Sequence, residues 1–379
     1  MHHAVIAAAS LSLMLTPTAA SAQQSAQQPG QLIAADPVVD TPDGMQAWRV
    51  RYWTTDGSGR PREATGMVVA PREAIPREPR RVIAWTHGTW GISRKCAPSL
   101  SSNFWQVTPA LDAVRAGNVV VAPDYAGLGS AGMHPFLVGV DTARSVIDGV
   151  RAARQISGAA AGARYAVWGE SQGGHAALWT AQTSRSYARE LELVGAAAAA
   201  PPTDLIENLR QSPNKTVKTF FTAYIGRSWS SHYGAPLATF GGPQTRQIMT
   251  RLADNNCIEL HAKPKLGMIL GIVTLQGRLK NVDLGRVQPW ANLARRNSPT
   301  TANIGVPLLI AQNAKDDLVA PAVTAAHVRA LCRSGNRVRR IAINGGGHAT
   351  SAKDSARETL DWIDNRFAGK SARNDCGQS

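Results

Sequence analysis

Short apolar runs alternate with stretches of helical spacing along most of the chain, and this alternation restricts the fold more than any other feature. Arg81–Thr86, Val119–Ala122, Tyr165–Trp168 and Val194–Ala200 are runs with the length of buried strands. Between them, Asn103–Ala116, Val140–Ile156 and Gln172–Thr183 place apolar residues at helical spacing. The rhythm resumes with a strand at Val306–Ala311, a helix at Pro321–Cys332, a strand at Val338–Ile343 and a helix at Ala352–Phe367. Strands that are apolar throughout cannot leave one face in water. The pattern therefore predicts an α/β fold with a mostly parallel central sheet flanked by helices on both faces. Trp48–Trp53 and Thr65–Ala70, on either side of the Asp56-Gly57-Ser58-Gly59 turn, read as paired strands ahead of it.

The rhythm breaks between residues 205 and 304, a mainly helical stretch punctuated by Gly and Pro. At 379 residues the chain exceeds what a single core usually supports, so this stretch reads as a cap or lid insertion. The organisation expected is a core in two parts, 48–204 and 305–379, with the cap at 205–304 between them. Within the cap, the apolar run Leu266–Val273 fits either a channel wall or the cap's own core. Ahead of the core, residues 1–22 combine an apolar run, Ala4–Leu15, with the Ala20-Ser21-Ala22 cleavage pattern, and read as a signal peptide. Residues 23–47 are expected to be a linker. Export, to the medium or the periplasm, makes the four cysteines candidates for bridges. They allow three pairings, and sequence alone does not choose among them. Bridging Cys332 with Cys376 would tie down the C-terminal tail and leave Cys96 with Cys257.

Gly169-Glu170-Ser171-Gln172-Gly173 carries the chemistry. It matches G-x-S-x-G with a strand before and a helix after, the context that lifts a serine hydroxyl out of a sheet on a tight turn. A serine hydroxyl needs a base, and the base an orienting acid, in the chain order serine, acid, histidine. The loop after the Val306–Ala311 strand holds Asp316 and Asp317. The first is favoured because Asp316-Asp317-Leu318-Val319 has the D-x-x-V spacing. The loop after the next strand is Asn344-Gly345-Gly346-Gly347-His348, which offers His348 as the base. Catalytic expectations are therefore Ser171, Asp316 and His348. An oxyanion needs N–H donors, here Gln172 after the nucleophile and Thr89 in His87-Gly88-Thr89 after an earlier strand. His87, His175 and Glu170 read as structural or orienting residues, and Pro123-Asp124-Tyr125-Ala126-Gly127-Leu128-Gly129 as support beneath the site. The scattered histidines form no metal motif, and no cofactor is expected.

Together these stretches resemble the secretory lipase family, the lipase A type of α/β-hydrolase. The likeness rests on Thr86-His87-Gly88-Thr89, Lys95-Cys96-Ala97-Pro98-Ser99, the Pro123–Gly129 turn, the serine elbow, the Asp316 loop and His348, and runs from about Trp48 to Phe367. The resemblance implies an exported carboxylic-ester hydrolase, a cap between two core strands, and bridges Cys96–Cys257 and Cys332–Cys376. Ala320 stands where the family pattern has Pro, with Pro321 following. The same fold could instead serve an amide or a carbon–carbon ketone bond. A basic surface-adhering protein is the other reading, because Lys and Arg number 41 against 26 Asp and Glu, a formal net charge of +15. Arg329, Arg333, Arg337, Arg339 and Arg340 lie close together, but no nucleic-acid motif accompanies them. The partners expected are an ester or lipid substrate and no nucleic acid, with at most weak association with an anionic surface, and the chain is expected to be a monomer.

Overall fold

A computed structural model describes residue 1 and residues 27–212, 214–258 and 266–378. The expected signal peptide, residues 1–22, lies outside the described residues except for Met1. Three strands open the fold as an antiparallel meander: β1 (Leu32–Val38), β2 (Met45–Thr55) and β3 (Pro61–Pro71). There follow β4 (Arg80–Thr86), the single turn α1 (Asp112–Arg115), β5 (Val119–Pro123), α2 (Gly139–Ala153), β6 (Ala161–Glu170), α3 (Gln172–Tyr187) and β7 (Glu192–Ala199). The insertion holds α4 (Leu205–Gln211), α5 (Lys215–Tyr233), α6 (Pro243–Asn255), α7 (Leu266–Leu279) and α8 (Trp290–Asn297). The chain ends with β8 (Leu308–Asn313), α9 (Pro321–Arg333), β9 (Val338–Ile343), the short α10 (Ser351–Asp354) and α11 (Ala356–Phe367).

The nine strands form one sheet in the order β1-β2-β3-β5-β4-β6-β7-β8-β9. From β5 to β9 every pairing is parallel. Successive strand residues point to opposite faces, so a strand buried on both faces feeds two cores. In β4, Val82 and Ala84 join the core under α2 and α3, while Ile83 and Trp85 join the one under α11. β7 contains four successive alanines, poor strand formers, because helices approach both its faces. A Cβ on Gly195 would lie 2.7 Å from the Trp362 ring of α11.

Three expectations change. Residues 23–47 are not simply a linker, because Leu32–Val38 pairs with β2 along its length. Its local sequence carries no alternation, and Pro37 suits an edge strand. Residues 103–116 do not form one helix. They break into 3-10 turns at Ser102–Trp105 and Pro109–Leu111, followed by α1. Pro109 has no N–H to continue a helix and drives Thr108 to φ −112°, ψ 83°. The run Leu266–Val273 divides between two environments. Ile272 and, further on, Leu275 are buried in the insertion's own core, whereas Leu266, Ile269, Leu270 and Val273 stand 43–72% exposed.

The insertion has its own packed centre, with Trp229, Trp290 and Tyr224 fully buried and the Trp229 and Trp290 rings stacked at 6.3 Å. It starts and ends at neighbouring strands: β7 pairs with β8, and Ala200 N–H donates to Ala311 O at 2.8 Å. A disulfide between Cys96 and Cys257 ties it to the loop after β4, beside a hydrogen bond from Ile258 N–H to Trp90 O of 2.7 Å. A second disulfide, Cys332–Cys376, holds the C-terminal tail against α9. In the basic cluster, Arg339 is tied to that tail through Asp375 at 2.8 Å.

Candidate active site

The turn between β6 and α3 is forced by crowding. Ser171 adopts φ 55°, ψ −119°, a conformation disfavoured for a residue with a side chain. Glycines on either side make the turn sterically feasible. A Cβ at Gly173 would sit 1.8 Å from Thr86 O, and one at Gly169 would sit 1.9 Å from Thr86 Oγ1. The Thr86 hydroxyl donates to Gly173 O (2.8 Å) and lies 3.1 Å from Trp168 O, pinning the turn to the end of β4. Ser171 N–H donates to Ala199 O of the neighbouring β7 at 2.8 Å. Strand ends on both sides thus hold Ser171 in place.

His348 lies in the turn after β9 and is buried. Its Nε2 is 2.7 Å from Ser171 Oγ, and its Nδ1 is 2.8 Å from Asp316 Oδ2. An ionised carboxylate can only accept, so Nδ1 carries the proton and Nε2 is free to accept from the serine hydroxyl. Asp316 is buried in the loop after β8, whereas Asp317 is exposed. Asp316 Oδ1 accepts from the Leu318 and Val319 N–H groups, both at 2.9 Å, and Oδ2 also accepts from Gln312 Nε2 at 3.0 Å. Burial alone would raise the Asp316 pKa. The hydrogen bond and charge of His348 and the two backbone donors outweigh it and hold the group below its ordinary value.

As the first residue of α3, Gln172 has no intrahelical acceptor for its N–H. Thr89 lies in the loop after β4 and borders the same cavity as Ser171. At Gly88, a Cβ would be 3.9 Å from Ser171 Cβ, so this loop runs close over the elbow. His87 is buried, with its ring nitrogens 2.6 Å from Gly88 O and 3.2 Å from Asp124 O, and its ring lies 4.3 Å from that of Tyr125. Burial pushes its pKa down to about 4. Asp124 accepts from Ser99 N–H (2.8 Å), Ser99 Oγ (2.5 Å) and Thr65 Oγ1 (2.7 Å), and burial pushes its pKa up to about 6. It knits the turn after β5 to strand β3 and to the loop after β4 beneath the site. His175 is fully buried, with Nε2 2.7 Å from Asn297 O of α8. Glu170 Oε1 accepts from Ala352 N–H at 2.9 Å, linking the residue before the nucleophile to the segment after His348. Burial raises its pKa to about 7.

Sequence reasoning missed His134. It is fully buried, with Nδ1 3.1 Å from Ala126 O and Nε2 2.7 Å from the Gln172 side-chain nitrogen. Burial lowers its pKa to about 3, so the ring is neutral and spans a donor and an acceptor. It anchors the side chain of the residue whose N–H flanks the serine. The only sequence signal for it was its place just after the Pro123–Gly129 turn. Among the described residues, no group of three or more His, Cys, Asp or Glu is arranged to hold a metal ion, and no helix is long and apolar enough to cross a membrane.

This architecture is an α/β-hydrolase fold with a serine, a histidine and a carboxylate in hydrogen-bonded sequence. Residues 102–375 match the model of the secretory lipase family, and the chain belongs to that family. Over 347 residues it is 24% identical to a Mycobacterium tuberculosis (strain CDC 1551 / Oshkosh) protein named "Probable inactive lipase MT1628", covering 87% of this chain and 75% of that one. It is 26% identical to Lipase 10 of Candida albicans over 357 residues, covering 87% and 74% of the two chains. The fold is similar to that of Candida antarctica lipase A, with a TM-score of 0.72 over 92% of this chain and 84% of the other, at 18% identity.

Proposed function

We propose that this protein is an exported carboxylic-ester hydrolase acting through an acyl-enzyme. The observation that carries this reading is the unbroken sequence Asp316–His348–Ser171, with contacts of 2.8 and 2.7 Å, ending at a serine in a forced backbone conformation beside an open cavity. In this reading His348 Nε2 takes the Ser171 proton as Oγ attacks the ester carbonyl. Asp316 keeps the imidazole in the required tautomer and stabilises the imidazolium. The Gln172 and Thr89 N–H groups face the oxyanion, each worth about 2.7–4 kcal/mol in the transition state. His348 then hands the proton to the leaving alcohol, and water activated by the same base releases the acyl group.

One relative bears a name that calls it inactive, so family membership alone does not carry the activity; the intact serine–histidine–carboxylate sequence does. A panel of p-nitrophenyl esters, combined with fluorophosphonate labelling, tests the proposal. Turnover and a label on Ser171 are expected, and both should be lost in Ser171→Ala. Ester turnover retained by that variant would overturn the assignment. Export is supported by the family and by the two disulfides. Its test is the N-terminus of the mature protein, expected at Gln23.

A further inference from the structure

Two cavities of very different size meet at Ser171. The larger has a volume of about 1000 Å³ and is bordered by His348, Thr350 and the aromatic residues Trp90, Phe104 and Trp105. The smaller has a volume of about 40 Å³ and is bordered by Gln172 and, from the insertion, by Leu205, Leu209, Phe221 and Ile225. Among the described residues, Thr89, Ser171, Phe221 and Leu318 border both, so Phe221 and Leu318 form the partition. His348 borders only the larger cavity, and Gln172 only the smaller.

That asymmetry sets the orientation of an ester. The leaving oxygen must lie within reach of the proton on His348, so the alcohol portion occupies the larger cavity. The carbonyl oxygen turns toward the Gln172 N–H, and the acyl chain runs into the smaller one. On the same measure the acyl side offers about 40 Å³ against about 1000 Å³ on the alcohol side, so it is the acyl chain whose size the walls restrict. A volume of about 1000 Å³ is at the upper end of small-molecule sites, about 300–1000 Å³. We infer that the protein selects esters of short acyl groups with large apolar or aromatic alcohol portions, and that the insertion side chains bordering the smaller cavity, Leu209 among them, limit the acyl chain. This inference rests on the hydrolase reading above.

The test uses the full mature chain and soluble esters kept below their aggregation concentrations. With the alcohol fixed as p-nitrophenol, kcat/KM should fall at least about tenfold from butyrate to octanoate. With the acyl group fixed as butyryl, 2-naphthyl and 4-methylumbelliferyl esters should be turned over at least as well as the methyl ester. Leu209→Ala should lower the butyrate-to-octanoate ratio about tenfold, and Leu209→Phe should shift the preference from butyrate to acetate. Both should leave the alcohol series unchanged. Trp105→Ala should do the reverse, altering the alcohol series and sparing the acyl series. An active enzyme with equal turnover of butyrate and octanoate, or with Leu209 variants that move only the alcohol series, overturns the inference and leaves the hydrolase reading standing. Absence of both ester turnover and a Ser171 label overturns the hydrolase reading itself.

Discussion

The sheet and the insertion are packed to different standards. Around the elbow, Trp168, Ala197, Ala198 and Ala199 are at most 1% exposed, and the turn is held by the Thr86 hydroxyl on Gly173 O and by Ser171 N–H on Ala199 O. The insertion is well packed at its centre, yet α7 turns Leu266, Ile269, Leu270 and Val273 outward at i, i+3, i+4 and i+7 spacing. None of these four borders either cavity. Close packing surrounds the serine elbow, and the loosely packed face of the insertion is the outer side of α7, away from both cavities. The insertion supplies Leu205, Leu209, Phe221 and Ile225 to the cavity walls but none of the proposed catalytic groups.

The sharpest way to break that contrast is at the elbow. Ser171→Ala or His348→Ala should lower kcat by about a million-fold while leaving the unfolding midpoint close to wild type, because neither residue fills the core. Assay of purified variants with a p-nitrophenyl ester, alongside thermal melts, checks both halves. Asp316→Asn should cost about ten-thousand-fold by misplacing the imidazole proton, and Asp317→Asn, whose side chain is exposed, should be near neutral. The reverse ranking would move the acid to Asp317.

The join between the two regions comes next. Replacing Cys96 and Cys257 together by serine opens a closure spanning 161 residues, for which chain entropy gives about 5 kcal/mol. Urea unfolding should show that loss. Below the midpoint, the acyl preference should shift more than the rate on the best substrate, since the bond holds the insertion rather than the elbow.

The smallest effect concerns Glu170, whose pKa burial raises from 4.5 to about 7, with the Ala352 N–H bond and His348 opposing the rise and Asp354 and Asp316 adding to it. Below pH 7 its carboxyl is neutral and resembles glutamine. Glu170→Gln should therefore match wild type in kcat/KM at pH 6 and differ only above pH 7, by about tenfold or less. Stability follows the same sign. The folded state holds this proton more tightly than the unfolded chain. The contribution of Glu170 is thus greatest below pH 4.5 and declines as pH rises through 7. Relative to wild type, the glutamine variant should gain stability between those limits, measured as urea midpoints at pH 5 and pH 8.

The local geometry of the candidate site was legible in the sequence. The Gly169 and Gly173 contacts explain why a G-x-S-x-G stretch between strand and helix can be read directly, since no larger residue fits. The D-x-x-V spacing has a physical basis too, because Asp316 Oδ1 accepts the N–H groups two and three residues ahead. The strand–helix rhythm gave the parallel sheet because buried strands must be apolar on both faces. Features made by distant contacts were not legible. β1 exists because β2 offers it an edge, and its own seven residues lack strand alternation. The His134–Gln172 contact joins residues 38 apart, and the cavity volumes depend on how an entire insertion docks. The failed helix at 103–116 was local: its apolar spacing was helical, but Pro109 outweighed it.

The insertion leaves the sheet after β7 and returns at its immediate neighbour β8, with Ala200 N–H bonded to Ala311 O across the gap. The sheet is therefore complete without it. Loop-closure cost rises only about 0.6 kcal/mol for each doubling of length, so closure entropy hardly limits the length of a segment hung between adjacent strands. The strand pairings that position Ser171, Asp316 and His348 include no residue of the insertion. To evolution or to a protein engineer, the insertion is an exchangeable fitting, hung on a sheet whose strands pair without it.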